Sequence, residues 1–180
     1  MTPFTFTPQE IAEIVDIYAS STSMHHRHLC TIDIYATNPV YFRAAGDYDP
    51  DHITAEAVEA DLRDDVDAAG SDVLIARDED GAAVGMMCLL DRHPTDGHPW
   101  IGLLLVHGRL HGQGQGLGRR LADLIEERFR GEDREGLRLA VLENNPSALA
   151  FWSTLGWQEI DRRKDREHGR PSIVMHRALV

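Results

Sequence analysis

The chain has 180 residues, 42% of them apolar, and a formal net charge of −12, which is enough apolar material for one compact domain with a sizeable core. So acidic a chain carries no basic stripe for nucleic acid or an anionic membrane, and its longest apolar run is far short of a bilayer span. Met1-Thr-Pro-Phe-Thr-Phe lacks the basic-then-apolar order of an export signal, and Cys30 and Cys88 stand apart without CxxC spacing; the expectation is a cytoplasmic protein with reduced cysteines and no metal.

Phe4 and Phe6 alternate as a short strand does. Thr7-Pro8-Gln9-Glu10 is a capping box with Pro at the first helical position, which predicts a helix carrying Ile11, Ile14, Val15 and Tyr18 inward. Met24-His25-His26-Arg27-His28 has the composition of a metal cluster, but no second group of spaced ligands accompanies it, and the polar end of a helix explains it better. Asn38-Pro39 marks a turn in the least regular stretch, and Tyr41-Phe42 reads as a core anchor. Thr54 caps a helix over Ala55 to Ala69, with Ile53 and Val58 spaced as a hydrophobic staple and Gly70 as its stop. Ser71 to Arg77, the turn Asp78-Glu-Asp-Gly81, and Ala82 to Leu90 then form a hairpin. Between Asp47 and Asp80, thirteen acidic residues stand against only Arg63 and Arg77. A solvated helix face accounts for much of that charge.

Trp100 to Val106 is a short apolar run suited to a central strand buried on both faces. Gly112, Gly114, Gly116 and Gly118 follow at every second position, and Leu117, Leu121, Leu124, Ile125 and Phe129 continue at helical spacing. A glycine-rich entry to a helix leaves backbone N–H groups unpaired and unshielded at the positive end of the helix dipole, which suits phosphate. The dinucleotide fingerprint GxGxxG fails, since it needs Gly at Leu117 or Arg119. A P-loop fails as well, because the sole lysine, Lys164, follows Arg163. Leu137 to Leu142 is another buried strand, Pro146 to Leu155 a short helix stopped by Gly156, and Trp157 to Arg163 with Ile173 to Val180 a final pair. Residues 1–180 thus read as one domain, an α/β or α+β sandwich about one sheet.

Gln113-Gly114-Gln115-Gly116-Leu117-Gly118 after a buried strand resembles the (Gln/Arg)-x-x-Gly-x-(Gly/Ala) turn of the GNAT superfamily, the acyl-CoA-dependent N-acyltransferases. A second register, His111 to Gly116, is shifted by two. The first places Leu117 and Leu121 where the family has its apolar helix residues, and leaves about two extra residues after Val106. Leu139-Ala-Val-Leu-Glu-Asn-Asn145-Pro-Ser-Ala148-Leu-Ala-Phe151-Trp152-Ser-Thr-Leu155-Gly156-Trp157 looks like the family's strand–Asn–x–x–Ala–x–x–Phe–Tyr–x–x–x–Gly–Phe motif. The two motifs cover the back half of the chain, and the front half agrees in element order. The resemblance implies a mixed, mostly antiparallel sheet with helices on both faces, and strands around Val106 and Val141 splayed apart to admit pantetheine. By the same resemblance, Gln113, Gly114, Gln115, Gly116, Leu117, Gly118 and Arg119 wrap the pyrophosphate of coenzyme A. Leu104, Leu105 and Val106 meet the thioester with backbone donors, and Asn145 and Trp152 reach the cofactor from the other side.

Asn145 is equally a helix cap before Pro146, and Trp152 equally a core residue beside Phe151, Leu155 and Trp157. Trp152 also stands where many members have a Tyr thought to protonate the departing thiolate, and an indole N–H cannot do so. Trp100 to Val106 holds no carboxylate or His. Glu143 and His107, just beyond two strand ends, are then the candidate bases, and each is equally an ordinary loop residue. The expected reaction is transfer of an acetyl group from acetyl-CoA to the primary amine of a small acceptor, by direct attack and without a metal. In the proteins this chain resembles, the segment between the first two helices walls the acceptor cleft; here it runs into the acidic stretch, which implies a cationic acceptor near Asp47, Asp49 and Asp51. A non-catalytic acyl-CoA sensor of the same fold and an O-acyltransferase are the other readings, and a homodimer is compatible with all three.

Overall fold

The computed structural model describes residues 13–16, 31–46, 48–49, 51–67, 69–114, 116–165 and 168–179. The Phe4–Phe6 strand, the Thr7 capping box, the Met24–His28 run, Cys30, Asp47 and Gln115 lie outside them. Seven strands form one sheet: β1 (Glu13–Asp16), β2 (Ser71–Arg77), β3 (Ala83–Leu90), β4 (Trp100–Val106), β5 (Gly136–Leu142), β6 (Gln158–Lys164) and β7 (Pro171–Ala178). Their order is β1-β2-β3-β4-β5-β7-β6. Every neighbouring pair is antiparallel except β4 and β5. The helices are α1 (residues 31–36), α2 (Pro39–Ala45), α3 (Ala55–Asp67), α4 (Leu117–Gly131) and α5 (Pro146–Thr154).

Alternation along the strands divides the core in two. Val73, Ile75, Met86 and Cys88 pack with Ile34, Tyr35, Phe42, Val58 and Leu62 from α1, α2 and α3. Leu74, Ala76, Met87, Leu89, Leu139 and Val141 face the other way, onto Leu121, Ile125 and Phe129 of α4 and Trp152 of α5. Helices therefore cover both faces, as expected. The hairpin of β2 and β3 turns where its Asp-Gly signal lies, Gly81 taking φ 78° and the Asp78 carboxylate accepting from the Ala82 N–H at 2.8 Å.

Two expectations are corrected, and the Asn38-Pro39 turn gains its setting. Ile14 and Val15 belong to a strand rather than a helix, paired with Ala76 and Ile75 along the outer edge of β2; two adjacent β-branched residues suit either period, and the unpaired edge decides. Asn38-Pro39 does mark a turn, but it joins two short helices, with Pro39 at the first turn of α2. β4 is central, yet Gly102 is exposed and Leu103 and Leu104 are half-buried, because β5 leaves it after two residue pairs.

α4 lies close against β3 because residue 85 has no side chain. A Cβ there meets Leu121 Cδ1 at 2.7 Å and the Leu105 carbonyl oxygen at 3.0 Å. Gly85→Val is therefore expected to destabilise the protein by about 1–3 kcal/mol through overpacking. Urea unfolding measures this, and an unchanged midpoint contradicts the packing described.

Candidate active site

β4 and β5 pair only through Trp100–Arg138 and Ile101–Leu139, with the Arg138 N–H donating to the Pro99 carbonyl at 3.0 Å. Gly102 is then an extra residue on β4, since Leu103 lies opposite Cys88 and Ile101 opposite Leu89. Such a bulge bends its strand. Past it, β4 stays with β3 as far as Val106 and β5 stays with β7 as far as Leu142, so a wedge opens between two strands whose facing backbone groups no longer meet. Alternate N–H and C=O groups of residues 102–106 and 140–142 are left to line it.

The closed end of the wedge is pinned by one carboxylate. Asp96 accepts from Arg138 at 2.9 Å, from the Trp100 indole at 3.2 Å and from the His98 N–H at 3.0 Å. Trp100 is stacked on His93 at 4.5 Å between ring centres, and the Arg163 guanidinium lies 5.3 Å from its ring centroid. Burial pushes the Asp96 carboxyl up, but the donors from His98, Trp100 and Arg138 outweigh it and hold the carboxyl below its ordinary value.

The open end is a cleft of about 510 Å³. Along β4 it is lined by Leu104, Leu105 and Val106, along β5 by Ala140 and Val141, and from α5 by Ala148, Phe151 and Trp152. Gly112, Gly114 and Gly116 line its mouth with φ of 71°, 71° and 64°, a left-handed conformation that glycine adopts without steric cost. An added Cβ at any of the three meets nothing within 4 Å. Gly116 is the N-cap of α4 and its carbonyl takes the first helical bond, from Arg120 at 3.1 Å. The N–H groups of Leu117, Gly118 and Arg119 precede that bond and have no partner within the helix. Helix α4 thus begins where the first register places it. Gly118 has a different reason, since a Cβ there would lie 3.3 Å from the Phe151 ring; α4 and α5 approach too closely for more. Open left-handed glycines and an N-terminal helix turn beside a narrow apolar wedge fit a phosphate-bearing ligand with a thin acyl arm, and so the phosphopantetheine of coenzyme A.

Of the residues expected to meet that ligand, Leu104, Leu105, Val106, Gly114, Gly116, Leu117, Gly118, Asn145 and Trp152 line the cleft. Asn145 also caps α5, accepting from the Ala148 N–H at 3.1 Å. Trp152 is 7% exposed and packs edge-on against Phe151 and Trp157, so it is core and wall at once. Gln113 and Arg119 are exposed and do not line it; the Gln113 amide donates to the Arg109 carbonyl.

Neither candidate base is among the residues lining the cleft. Glu143 pairs with Arg162 at 3.2 Å. His107 is 4% exposed, its Nε2 lies 3.0 Å from the Asp33 carboxylate and its Nδ1 accepts from the Arg109 N–H at 3.2 Å, so one ring nitrogen ties the turn after β4 to α1 and the other holds the turn itself. Asp49 and Asp51 do not line the cleft either. The Asp49 carboxylate accepts from the Asp51 N–H at 3.0 Å and pairs with His52 at 2.9 Å, and these two partners, the backbone N–H first, hold its carboxyl below the ordinary value. The acidic helix α3 packs across β2, away from the wedge.

Among the cleft residues that were not anticipated are Asn38, Tyr41 and His111. Asn38 is 6% exposed and its amide nitrogen donates to the Ile34 carbonyl at 2.8 Å and to Val106 at 3.0 Å, tying α1 to the end of β4. A polar residue before Pro39 gave the turn but no hint of that distant partner.

Residues 33–157 match the model of the Acetyltransferase (GNAT) family, well over half of the chain. The protein belongs to that family. No curated protein sequence matches the chain. Among solved structures it is similar to an acetyltransferase from Thermus thermophilus, at 23% identity and a TM-score of 0.67 over 85% of this chain and 91% of that one. A GCN5-related N-acetyltransferase from Kribbella flavida is similar at 22% identity, with a TM-score of 0.62 over 92% and 96%. Spermidine N-acetyltransferase from Vibrio cholerae, in complex with CoA and spermine, shares 11% identity with a TM-score of 0.65 over 93% and 95%. At these identities the likeness is one of fold.

Two outcomes test the site. Asp96→Ala is expected to lower stability at pH 7 by about 2 kcal/mol, the range of hydrogen bonds to a charged group. The native carboxyl lies below its unfolded value of about 3.9, so its contribution is present above that pH and is lost as pH falls through the native value. The gap between variant and parent should narrow from pH 7 to pH 3 in urea unfolding; an equal gap at both contradicts the clamp. Gly116→Val meets no core atom but forces a branched residue to φ 64°, at about 1–2 kcal/mol. Calorimetry should show acetyl-CoA affinity reduced at least tenfold while the variant remains folded, and an unchanged affinity rules out the register.

Proposed function

We propose that this protein moves an acetyl group from acetyl-CoA to the primary amine of a small, cationic acceptor by direct attack on the thioester, with no covalent enzyme intermediate. The observation that carries this reading is the wedge between β4 and β5 opening directly onto the glycine-lined start of α4. Its N–H groups at Leu117, Gly118 and Arg119 suit the pyrophosphate, and the alternate backbone groups of residues 102–105 and 140–142 that β4 and β5 no longer share suit the pantetheine amides. Donors among Leu104, Leu105 and Val106 would stabilise the charge that develops on the thioester carbonyl oxygen, fixed there by the sheet before the reaction starts.

Coenzyme A supplies the activated thioester; the chain must supply a dry, oriented cleft and a neutral amine. A primary alkylamine has a pKa of about 10.4, so reaching its neutral form at pH 7 takes roughly 4–5 kcal/mol. The departing thiolate belongs to a thiol with a pKa of about 8.5 and can take its proton from water, which Trp152 in place of a phenol then permits.

A positively charged acceptor is supported by the net charge of −12. The field is that of the whole molecule, since Asp49 and Asp51 do not line the cleft. Spermidine and other polyamines are the first acceptors to try. Release of coenzyme A with a panel of amines is expected for at least one cation, with kcat/KM falling as ionic strength rises and changing less than twofold in Asp49→Asn. Tight acetyl-CoA binding with no turnover on any amine favours the sensor reading instead.

A further inference from the structure

The turn after β4 carries a polar group that neither family motif includes. The Val106 carbonyl oxygen accepts from two side chains, the Asn38 amide at 3.0 Å and Nε2 of His111 at 2.9 Å. A carbonyl only accepts, so in the neutral ring the His111 proton is on Nε2 and the lone pair is on Nδ1. The ring is exposed and lines the cleft. Among the described residues lining the cleft, only His111 and Tyr41 carry a titratable side chain. A phenol with an ordinary pKa of about 10 is already protonated at neutral pH. That leaves Nδ1 of His111 as the basic nitrogen on the cleft wall.

We propose that His111 Nδ1 is the proton acceptor for the incoming amine. The inference rests on the acyl-transfer reading above. An ammonium R–NH3⁺ in the cleft gives one proton to Nδ1, making imidazolium and a neutral amine. The amine lone pair then forms the C–N bond at the thioester carbonyl carbon, the C–S bond breaks, and its electron pair leaves on sulfur. The second nitrogen proton passes through water to that thiolate, and imidazolium returns its proton to solvent, to which the exposed ring is open. The sum is R–NH3⁺ and acetyl-CoA giving the amide, coenzyme A thiol and one proton.

Val106 fixes the ring for this task. Its carbonyl holds Nε2–H, and Asn38 holds the same carbonyl while donating to Ile34. Among the described residues around the turn, the other titratable or charged groups are Tyr41 on α2, the His107–Asp33 pair against α1, and Arg109, whose guanidinium lies 3.9 Å from Asp78. His107 and Arg109 are thus engaged with acidic partners.

The test compares the wild-type protein with His111→Gln and His111→Ala, using spermidine, lysine and kanamycin as acceptors. Glutamine can still donate to the Val106 carbonyl but has no basic nitrogen. Both variants are expected to lose about 10²–10³-fold in kcat and the acidic limb of the pH profile, with acetyl-CoA affinity by calorimetry within twofold of wild type. Imidazole added to the buffer should restore part of the rate of His111→Ala. Wild-type kcat and an unchanged pH profile in His111→Gln overturn the proposal, even where His111→Ala is impaired, because they make the residue a hydrogen-bond anchor only. A wild-type protein that binds acetyl-CoA and acetylates none of these amines overturns the acyl-transfer reading, and the proposal with it.

Discussion

The site exists because two parallel strands are held together over two residue pairs and no further. Asp96 grips Trp100 and Arg138, which form the first of those pairs, and the Gly102 bulge turns β4 aside immediately after the second. Each strand keeps its other neighbour, so the sheet stays whole while its middle opens. An open seam in a sheet leaves backbone donors and acceptors without partners, and this has a cost unless something pairs with them. A ligand with amide groups along a thin arm does so, and the cleft is therefore both the weakest seam of the sheet and the one most suited to such a ligand.

The helices make that seam usable. α4 and α5 close one face, with Gly118 letting them approach, and α1 and α2 close the other through Asn38 and its bond to Val106. Further ties hold the α2 wall: Asn144 donates to the Ala44 carbonyl at 2.8 Å, and Arg170 donates to that of Ala45 while pairing with Asp165 at 2.7 Å. These bonds join the last turn of α2 to the β5–α5 connection and the β6–β7 hairpin. The α2 wall of the cleft is thereby fixed to the same half of the sheet that carries Asn145, which favours a preformed cleft.

What was legible in the sequence was local chemistry. Left-handed glycines at 112, 114 and 116 can be read from spacing because no other residue takes that conformation cheaply, and the Asn145–Pro146 cap and the Asp78–Gly81 turn are likewise short-range signals. The family resemblance also anticipated the parting of β4 and β5. The placement of β7 between β5 and β6 was not legible, nor was the strand at Ile14 and Val15, since both are decided by pairing with distant residues. The proposed bases show the same limit. Glu143 and His107 lie next to strand ends in sequence, but one turns to Arg162 and the other is spent on Asp33 and the Arg109 N–H. His111 was visible only as part of a second glycine register, and the Val106 carbonyl that it shares with Asn38 depends on a fold that brings residue 38 beside residue 106.

The most direct measurement is amide hydrogen exchange with and without acetyl-CoA. Pairing of the open seam with the cofactor predicts new protection concentrated at residues 102–106, 117–119 and 140–142, with α3 and β6 unchanged. Protection confined to other elements, or none at saturating acetyl-CoA, would contradict the account.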